Sequence, residues 1–182
     1  ATGVPYILSM GNTKPHKDLP TLLRAFATLA ATRTDLRLLM VGADVPGYIE
    51  ANLPDAPAAV RDRVAFTGRV SDPELRALYA HAAAFAFPST YEGYGLPPLE
   101  AMALGAPVVC SSAASLPEVV DDAAILFEPG DAADLAASLE RVFADSLLAR
   151  DLRARGRAHA ANFTWASAAE ATVVVYREVT AR

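Results

Sequence analysis

Two glutamates stand eight positions apart in the stretch FPSTYEGYGLPPLEAMALGAPVV, which runs from Phe87 to Val109. Glu92 falls in a glycine-rich loop, and Glu100 falls in the helix expected just after it. A carboxylate has two oxygens that accept hydrogen bonds side by side, which suits the vicinal hydroxyls of a ribose or a hexose. The pair therefore indicates sugar recognition. The alternative is a solvated Glu92 and a Glu100 that only favours its helix N-terminus.

The residues between the two glutamates favour binding of an anion. Gly93 and Gly95 permit positive φ angles and a close approach of the backbone to a ligand. Pro97 and Pro98 suit the first turn of a helix, where no donated hydrogen bond is needed. The free N–H groups at such a helix start attract negative charge, so a diphosphate would fit there.

A second informative segment, which is cationic, has the sequence GNTKPHKDLPTLLRAF and runs from Gly11 to Phe26. It has a glycine at the end of a predicted strand and Lys17 directly before a predicted helix. An ammonium group at a helix start adds to the positive end of the helix dipole, and both favour phosphate. The alternative for Lys17 is an ordinary surface lysine.

Short apolar runs alternate with amphipathic segments along the whole chain. The predicted strands are Tyr6–Met10, Arg37–Val41, Val64–Thr67, Ala84–Phe87, Val108–Cys110 and Ile125–Phe127. The predicted helices are Asp18–Ala31, Pro73–Ala80, Pro98–Leu104, Asp131–Ala144, Leu147–Asn162 and Trp165–Val179, with a short helix inside the loop Val45–Pro57. This alternation predicts an α/β fold: a doubly wound, Rossmann-like parallel sheet with helices on both faces. Ligands then bind beyond the carboxyl ends of the strands.

Composition bounds the function. The 182 residues suit one domain, residues 1–182, and 53% hydrophobic residues predict a packed core. A net charge of −5 argues against a nucleic-acid partner, which needs a basic face.

The single cysteine, Cys110, fits a buried strand position in a protein of a reducing compartment. No apolar run is long enough to span a membrane, and a cytoplasmic location is expected. His16, His81 and His159 show no metal-ligand spacing, so no metal site is predicted.

The segment from Phe87 to Val109 resembles the motif of family 4 retaining glycosyltransferases, which have the GT-B fold. That motif has two glutamates separated by seven residues, with Gly-Phe-Gly-Leu-Pro between them. Tyr94 stands here where phenylalanine is commonest, and Glu-Ala-Met-Ala-x-Gly-x-Pro-Val follows at Glu100–Val108. The resemblance extends over about residues 6–162 and implies the carboxy-terminal, donor-binding domain of such an enzyme.

The resemblance also implies roles for single residues. Glu100 would bind the donor ribose, Glu92 would contact the donor sugar, and Lys17 would hold the diphosphate, so that Glu92 and Lys17 act in catalysis. The remaining donor-binding residues would be Gly11, Asn12, Lys14, Gly68, Val70, Gly93, Tyr94, Gly95 and Leu96, with Gly68 and Val70 against the base. Ser111, Ser112 and Ser115 are candidates for lining the sugar or phosphate pocket.

One departure concerns the phosphate clamp. Many members carry an arginine directly after the first glycine, where this chain has Asn12. A neutral amide cannot supply that charge, and Lys14 is the candidate to compensate. Trp165 and Tyr176, in the last helices, are expected to be packing residues, although the final helix of GT-B enzymes often crosses back onto the amino-terminal domain.

The resemblance implies that about half of the enzyme, including the acceptor-binding domain, is absent. Any contact with a membrane surface is expected through that domain. The chain alone should bind a nucleoside-diphosphate sugar weakly and transfer little; the whole enzyme should need no metal or other cofactor. Within the family, the motifs are most similar to those of bacterial mannosyl- and rhamnosyltransferases. The alternatives are a catalytically silent nucleotide-binding module and the half-domain of a sugar-nucleotide epimerase or glycosyl phosphorylase. A nicotinamide dehydrogenase is disfavoured, because Gly11 stands without the rest of Gly-x-Gly-x-x-Gly.

Overall fold

Six short apolar strands form one parallel sheet in the order β3-β2-β1-β4-β5-β6. The structure, a computed structural model, describes residues 3–181. The strands are β1 (Tyr6–Met10), β2 (Arg37–Val41), β3 (Val64–Phe66), β4 (Ala84–Phe87), β5 (Val108–Ser111) and β6 (Ile125–Phe127). Each neighbouring pair is parallel. The doubly wound α/β fold predicted from the sequence is therefore confirmed.

Helices cover both faces of this sheet. They are α1 (Leu19–Ala30), α2 (Tyr48–Asn52), α3 (Ala58–Arg61), α4 (Asp72–His81), α5 (Leu96–Ala103), α6 (Leu116–Val120), α7 (Ala132–Ala144), α8 (Ser146–Ala160) and α9 (Trp165–Thr180), with 3-10 turns at Pro15–Lys17 and Asp121–Ala123. The apolar stripe of α1, represented by Leu22 and Phe26, packs with α7 residues such as Leu139 against one face. On the other face, Tyr79 of α4 and Met102 of α5 pack against the sheet.

The starts of helices α1 and α5 are set by residues in the left-handed conformation. Helix α5 begins at Leu96, two residues before the predicted start, because Gly95 takes the N-cap position with a φ of 102° and the prolines occupy the first turn. Helix α1 begins at Leu19, and Asp18, the first residue of the predicted range, is its N-cap with a φ of 43° and a carboxylate that makes no capping hydrogen bond. The backbone conformation, rather than side-chain capping, sets both starts.

Helix α9 lies on the surface and buries none of its described residues. Trp165 is 89% exposed and Tyr176 is 66% exposed, so the prediction that they are packing residues is wrong for this chain. Their apolar type alone could not reveal this, because it does not say which surface covers a helix. None of the helices in residues 3–181 is long and apolar enough to cross a membrane.

Cys110 lies on β5 and is fully buried, so the predicted buried strand position is confirmed. Burial raises the pKa of its thiol to about 12, so the thiol stays protonated at neutral pH. It is therefore a packing residue and not a nucleophile.

Candidate functional site

Strands β1 and β4 are neighbours in the sheet, and the strand order reverses between them, which makes this the topological switch point of the fold. Strands β2 and β3 extend the sheet on one side of this point, and β5 and β6 extend it on the other. The loops after β1 and β4 therefore diverge at the carboxyl edge and leave a crevice between them. Lys17 follows β1 and Glu92 follows β4, so the fold brings both residues to this crevice.

Lys17 and Glu92 form an ion pair across the crevice. The Lys17 Nζ donates to Glu92 Oε1 at 2.5 Å, and the two side chains are only 17% and 15% exposed. The ammonium also lies 5.3 Å from the centre of the Phe87 ring, at the end of β4. The two residues expected from the sequence to act in catalysis are thus in direct contact, although 75 positions separate them.

The loop that carries Lys17 is attached to the loop that carries Glu92. Lys17 ends the 3-10 turn Pro15–Lys17, and the carbonyl of His16 in that turn accepts a hydrogen bond from the Thr90 N–H at 2.8 Å. His16 therefore contributes through its backbone, whereas its imidazole was the group considered in the sequence. This hydrogen bond holds the two loops together beside the contact of their charged side chains.

Two serines brace the glycine-rich loop from the opposite side. Ser115 Oγ lies 3.1 Å from the carbonyl oxygen of Glu92 and 3.2 Å from that of Tyr94, and it can donate to either. Ser111 is fully buried, and its hydroxyl donates to the carbonyl of Ser89. The sequence placed these serines as pocket-lining candidates; the contacts give Ser111 and Ser115 a supporting position behind the loop.

The braced loop presents its outer side to solvent. Tyr94 and Leu96 are 50% and 54% exposed. Within residues 3–181, the backbone N–H groups of Gly93, Tyr94 and Gly95 donate to no protein acceptor. These amides lie directly before the start of α5, where the helix dipole adds positive potential. The arrangement can accept an anion next to the Lys17 ammonium.

Glu100, one turn into α5, lines a cavity of about 350 Å³ between α4 and α5. The other lining residues are Asp72, Leu75, Arg76, Tyr79, Ala103 and Leu104. The Tyr79 hydroxyl donates to Glu100 Oε2 at 3.2 Å, and burial together with the nearby carboxylate raises the pKa of Tyr79. Sequence reasoning missed Tyr79, because an aromatic residue at helical spacing is indistinguishable from an ordinary core residue.

A second cavity, of about 360 Å³, lies where β2 and β3 end. Its lining includes Gly68 and Val70, which the sequence assigned to a base, and Leu75 lines both cavities. Gly42 also lines this cavity but was not among the donor-binding residues expected from the sequence. Its position directly after a strand could have indicated it. A Cβ on Gly42 would collide with the carbonyl oxygen of Gly11, so only glycine lets the two loops approach.

Asn12 and Lys14 lie in the exposed loop after Gly11. Asn12 Oδ1 accepts a hydrogen bond from the backbone N–H of Lys14 at 3.1 Å, which closes a local turn. The Asn12 side chain is thus used within its own loop, and Lys14 is presented on the surface of that loop. No group of three or more His, Cys, Asp or Glu side chains that could hold a metal ion occurs in residues 3–181.

The model of the family described as glycosyl transferases group 1 matches residues 1–159. The chain belongs to this family. The resemblance stated from the Phe87–Val109 motif is therefore confirmed at the level of this family, and the chain is called the group 1 domain below.

Two curated relatives are from Escherichia coli. The O-antigen chain mannosyltransferase B is 36% identical over 94% of this chain and 45% of its own length. The serotype-specific mannosyltransferase WbdA is 34% identical over 92% of this chain and 21% of its own length. The group 1 domain therefore spans less than half of either relative.

Among solved structures, the sucrose-phosphate synthase of Thermosynechococcus elongatus superimposes with a TM-score of 0.83 at 30% identity. The match covers 98% of this chain and 46% of the synthase. The group 1 domain thus has the fold of one half of a larger glycosyltransferase structure.

Proposed function

We propose that this chain is the donor-binding domain of a retaining glycosyltransferase, which takes a hexose from a nucleoside-diphosphate sugar. The observation that carries the proposal is the contact of Lys17 with Glu92 at the crevice between β1 and β4. A cation for the phosphates and a carboxylate for the sugar hydroxyls then stand side by side. Retention of anomeric configuration and independence from metal ions rest on the family resemblance.

The donor would lie along the carboxyl edge of the sheet. The base would enter the cavity lined by Gly68 and Val70, and the ribose would reach Glu100 in the adjoining cavity. The diphosphate would bridge to Lys17 and to the amides of Gly93–Leu96, and the sugar would come against Glu92. Leu75 lines both cavities, so the proposed base site and the proposed ribose site adjoin each other.

In the reaction, the bond between the anomeric carbon and the distal phosphate oxygen breaks, and negative charge develops on that oxygen. The Lys17 ammonium and the amides before α5 would stabilise this charge, because preorganised donors need no rearrangement at that moment. Glu92 would orient the sugar through its hydroxyls. The acceptor hydroxyl, held in a pocket that we assign to another domain, forms the new bond to the anomeric carbon and passes its proton to the departing phosphate oxygen.

Mannose is the sugar that we propose for transfer. The support is that the two curated relatives described above are named as mannosyltransferases. Both extend well beyond the region that matches this chain, and we assign the acceptor-binding residues to such a further region. The isolated chain should accordingly bind a donor and transfer little or none of its sugar.

Calorimetric titration of the isolated chain with UDP, GDP, ADP and NAD tests the binding half of the proposal. At least one of the nucleoside diphosphates should bind, and NAD should not. Lys17→Ala should weaken a diphosphate by about 10- to 100-fold, as expected for loss of a charged hydrogen bond, and should affect a nucleoside much less. Glu100→Ala should weaken nucleosides and diphosphates alike.

The matched controls are Arg150→Ala on α8 and Glu170→Ala on α9, both exposed and remote from the crevice. They change net charge as the test variants do and should leave affinity unaltered. Binding of Lys17→Ala and Glu100→Ala that equals the parent's would refute the site. Incubation with GDP-mannose alone separates the rival classes, because an epimerase would convert the sugar without any acceptor.

A further inference from the structure

A buried hydroxyl stands behind Glu100, at the wall of the cavity between α4 and α5. Tyr79 is only 1% exposed, yet its hydroxyl donates to Glu100 Oε2 at 3.2 Å and lies 3.7 Å from the Met10 sulfur at the end of β1. Phenylalanine would fill the same volume without the cost of burying a hydroxyl. The hydroxyl therefore has a role beyond packing.

The ring of Tyr79 is held firmly. It makes an edge-to-face contact with Phe85 of β4, with ring centres 5.3 Å apart at an angle of 61°. Helix α4, which carries it, is fixed at its start by a capping box in which Ser71 and Glu74 bond to each other. A hydroxyl on such a ring has one position, so a side chain that accepts from it is placed with the same precision.

Glu100, by contrast, is exposed on the surface of α5. A free glutamate of this kind samples several rotamers, and fixing one of them costs conformational entropy when a ligand binds. The bond to Tyr79 occupies one carboxylate oxygen, Oε2. Within the described residues the other oxygen, Oε1, has no hydrogen-bond partner, so it is available at the cavity.

From this geometry we infer that Tyr79 is a positioning residue that fixes the Glu100 carboxylate for the ribose hydroxyls of the donor. The inference rests on the proposed function, because it takes Glu100 as the ribose ligand. In the proposed arrangement the Tyr79 hydroxyl acts on the donor through Glu100. Its contribution should therefore appear in discrimination at the ribose and not in binding of the diphosphate.

Titration with UDP, GDP and their 2′-deoxy counterparts tests this inference. The parent should bind the ribonucleotide more tightly, and Tyr79→Phe should reduce that preference by about three- to tenfold. The matched control is Tyr6→Phe, which removes the hydrogen bond from the Tyr6 hydroxyl to the Leu78 carbonyl at 2.6 Å, one residue from Tyr79. The control should keep the parent's preference, and Tyr79→Phe should have no further effect in a Glu100→Ala background, where no side chain is left for the hydroxyl to position.

A second measurement does not depend on the folding of Tyr79→Phe. With 3-fluorotyrosine incorporated at position 79, the fluorine resonance should shift on Glu100→Gln substitution and again on addition of the ribonucleotide. An unchanged ribose preference in Tyr79→Phe, an effect that persists in the Glu100→Ala background, or a resonance insensitive to substitution of Glu100 would overturn the inference alone. A parent chain that binds neither UDP nor GDP would overturn the proposed function and this inference with it.

Discussion

The ion pair of Lys17 and Glu92 gives the ammonium that we propose for phosphate binding a partner in the free chain. Their contact at 2.5 Å is largely shielded from water. An incoming diphosphate must share or replace this partner, and its own charge is repelled by the carboxylate. In the proposed arrangement the same carboxylate binds the hydroxyls of the donor sugar. Glu92 should therefore disfavour the bare nucleoside diphosphate and favour the complete donor.

Glu92→Gln separates these two effects. The substitution removes the competing negative charge and frees the ammonium, so the nucleoside diphosphate should bind about two- to fivefold more tightly. The nucleoside-diphosphate sugar should gain less or lose affinity, because a neutral amide orients its hydroxyls less well. Calorimetric titration of parent and variant with both ligands measures the difference.

Glu170→Gln on the exposed helix α9 is the control for the change in net charge, and it should alter neither affinity. Weaker binding of the bare diphosphate by Glu92→Gln would mean that Glu92 supports the phosphate site instead of competing with it.

At the scale of residues, the sequence placed the candidate side chains on the correct loops but did not predict which of them are in contact. Lys17 and Glu92 could both be placed at the carboxyl edge, since each follows an apolar strand. Their direct contact depends on β1 and β4 being neighbours, and strand order is set by how the helices pack, which no local pattern encodes. The role of Tyr79 was hidden for a related reason: only its three-dimensional neighbours distinguish it from a core aromatic residue.

At the scale of elements, the functional loop depends on how helix α5 begins. Gly95 takes the N-cap position in a left-handed conformation, and a Cβ placed there would lie 2.8 Å from Leu116 Cδ2 in α6. Gly93, two residues earlier in the same loop, has open space where its Cβ would be. The two glycines therefore look equivalent in the sequence and differ in the structure.

Gly95→Ala should destabilise the domain by about 1–3 kcal/mol, because it combines an unfavourable φ with a steric clash. Gly93→Ala is the matched control and should change the free energy of unfolding by less than about 0.5 kcal/mol. Urea denaturation followed by circular dichroism measures both. Equal stability of the two variants would mean that α5 can begin without the left-handed residue.

The boundaries of elements were predictable to the extent that local chemistry fixes them. All six strands lie within one residue of the sequence prediction, because buried parallel strands are uninterrupted apolar runs. The short helix α3 and the 3-10 turns at Pro15–Lys17 and Asp121–Ala123 were not predicted. Segments of three or four residues have too few positions to display a helical period.

At the scale of the whole molecule, α9 stands apart from the doubly wound body. Its sixteen residues include none that is buried, and its exposed apolar side chains include Trp165, Val174 and Tyr176. In the body that precedes α9, helices cover both faces of the sheet. The crossing of the final helix onto another domain, which the family resemblance implies, stays a prediction.

Trp165 gives a direct measurement of this arrangement, because it is the only tryptophan in the chain. With 89% of its surface exposed, it should emit with the red-shifted spectrum of an indole in water, and iodide should quench it readily. Unfolding in urea should change the circular dichroism cooperatively and leave the emission maximum nearly unchanged. Trp165→Phe should unfold at the same urea concentration as the parent, because no packing is lost. A blue-shifted native spectrum that moves to longer wavelength on unfolding would show that α9 packs against a second surface even in the isolated chain.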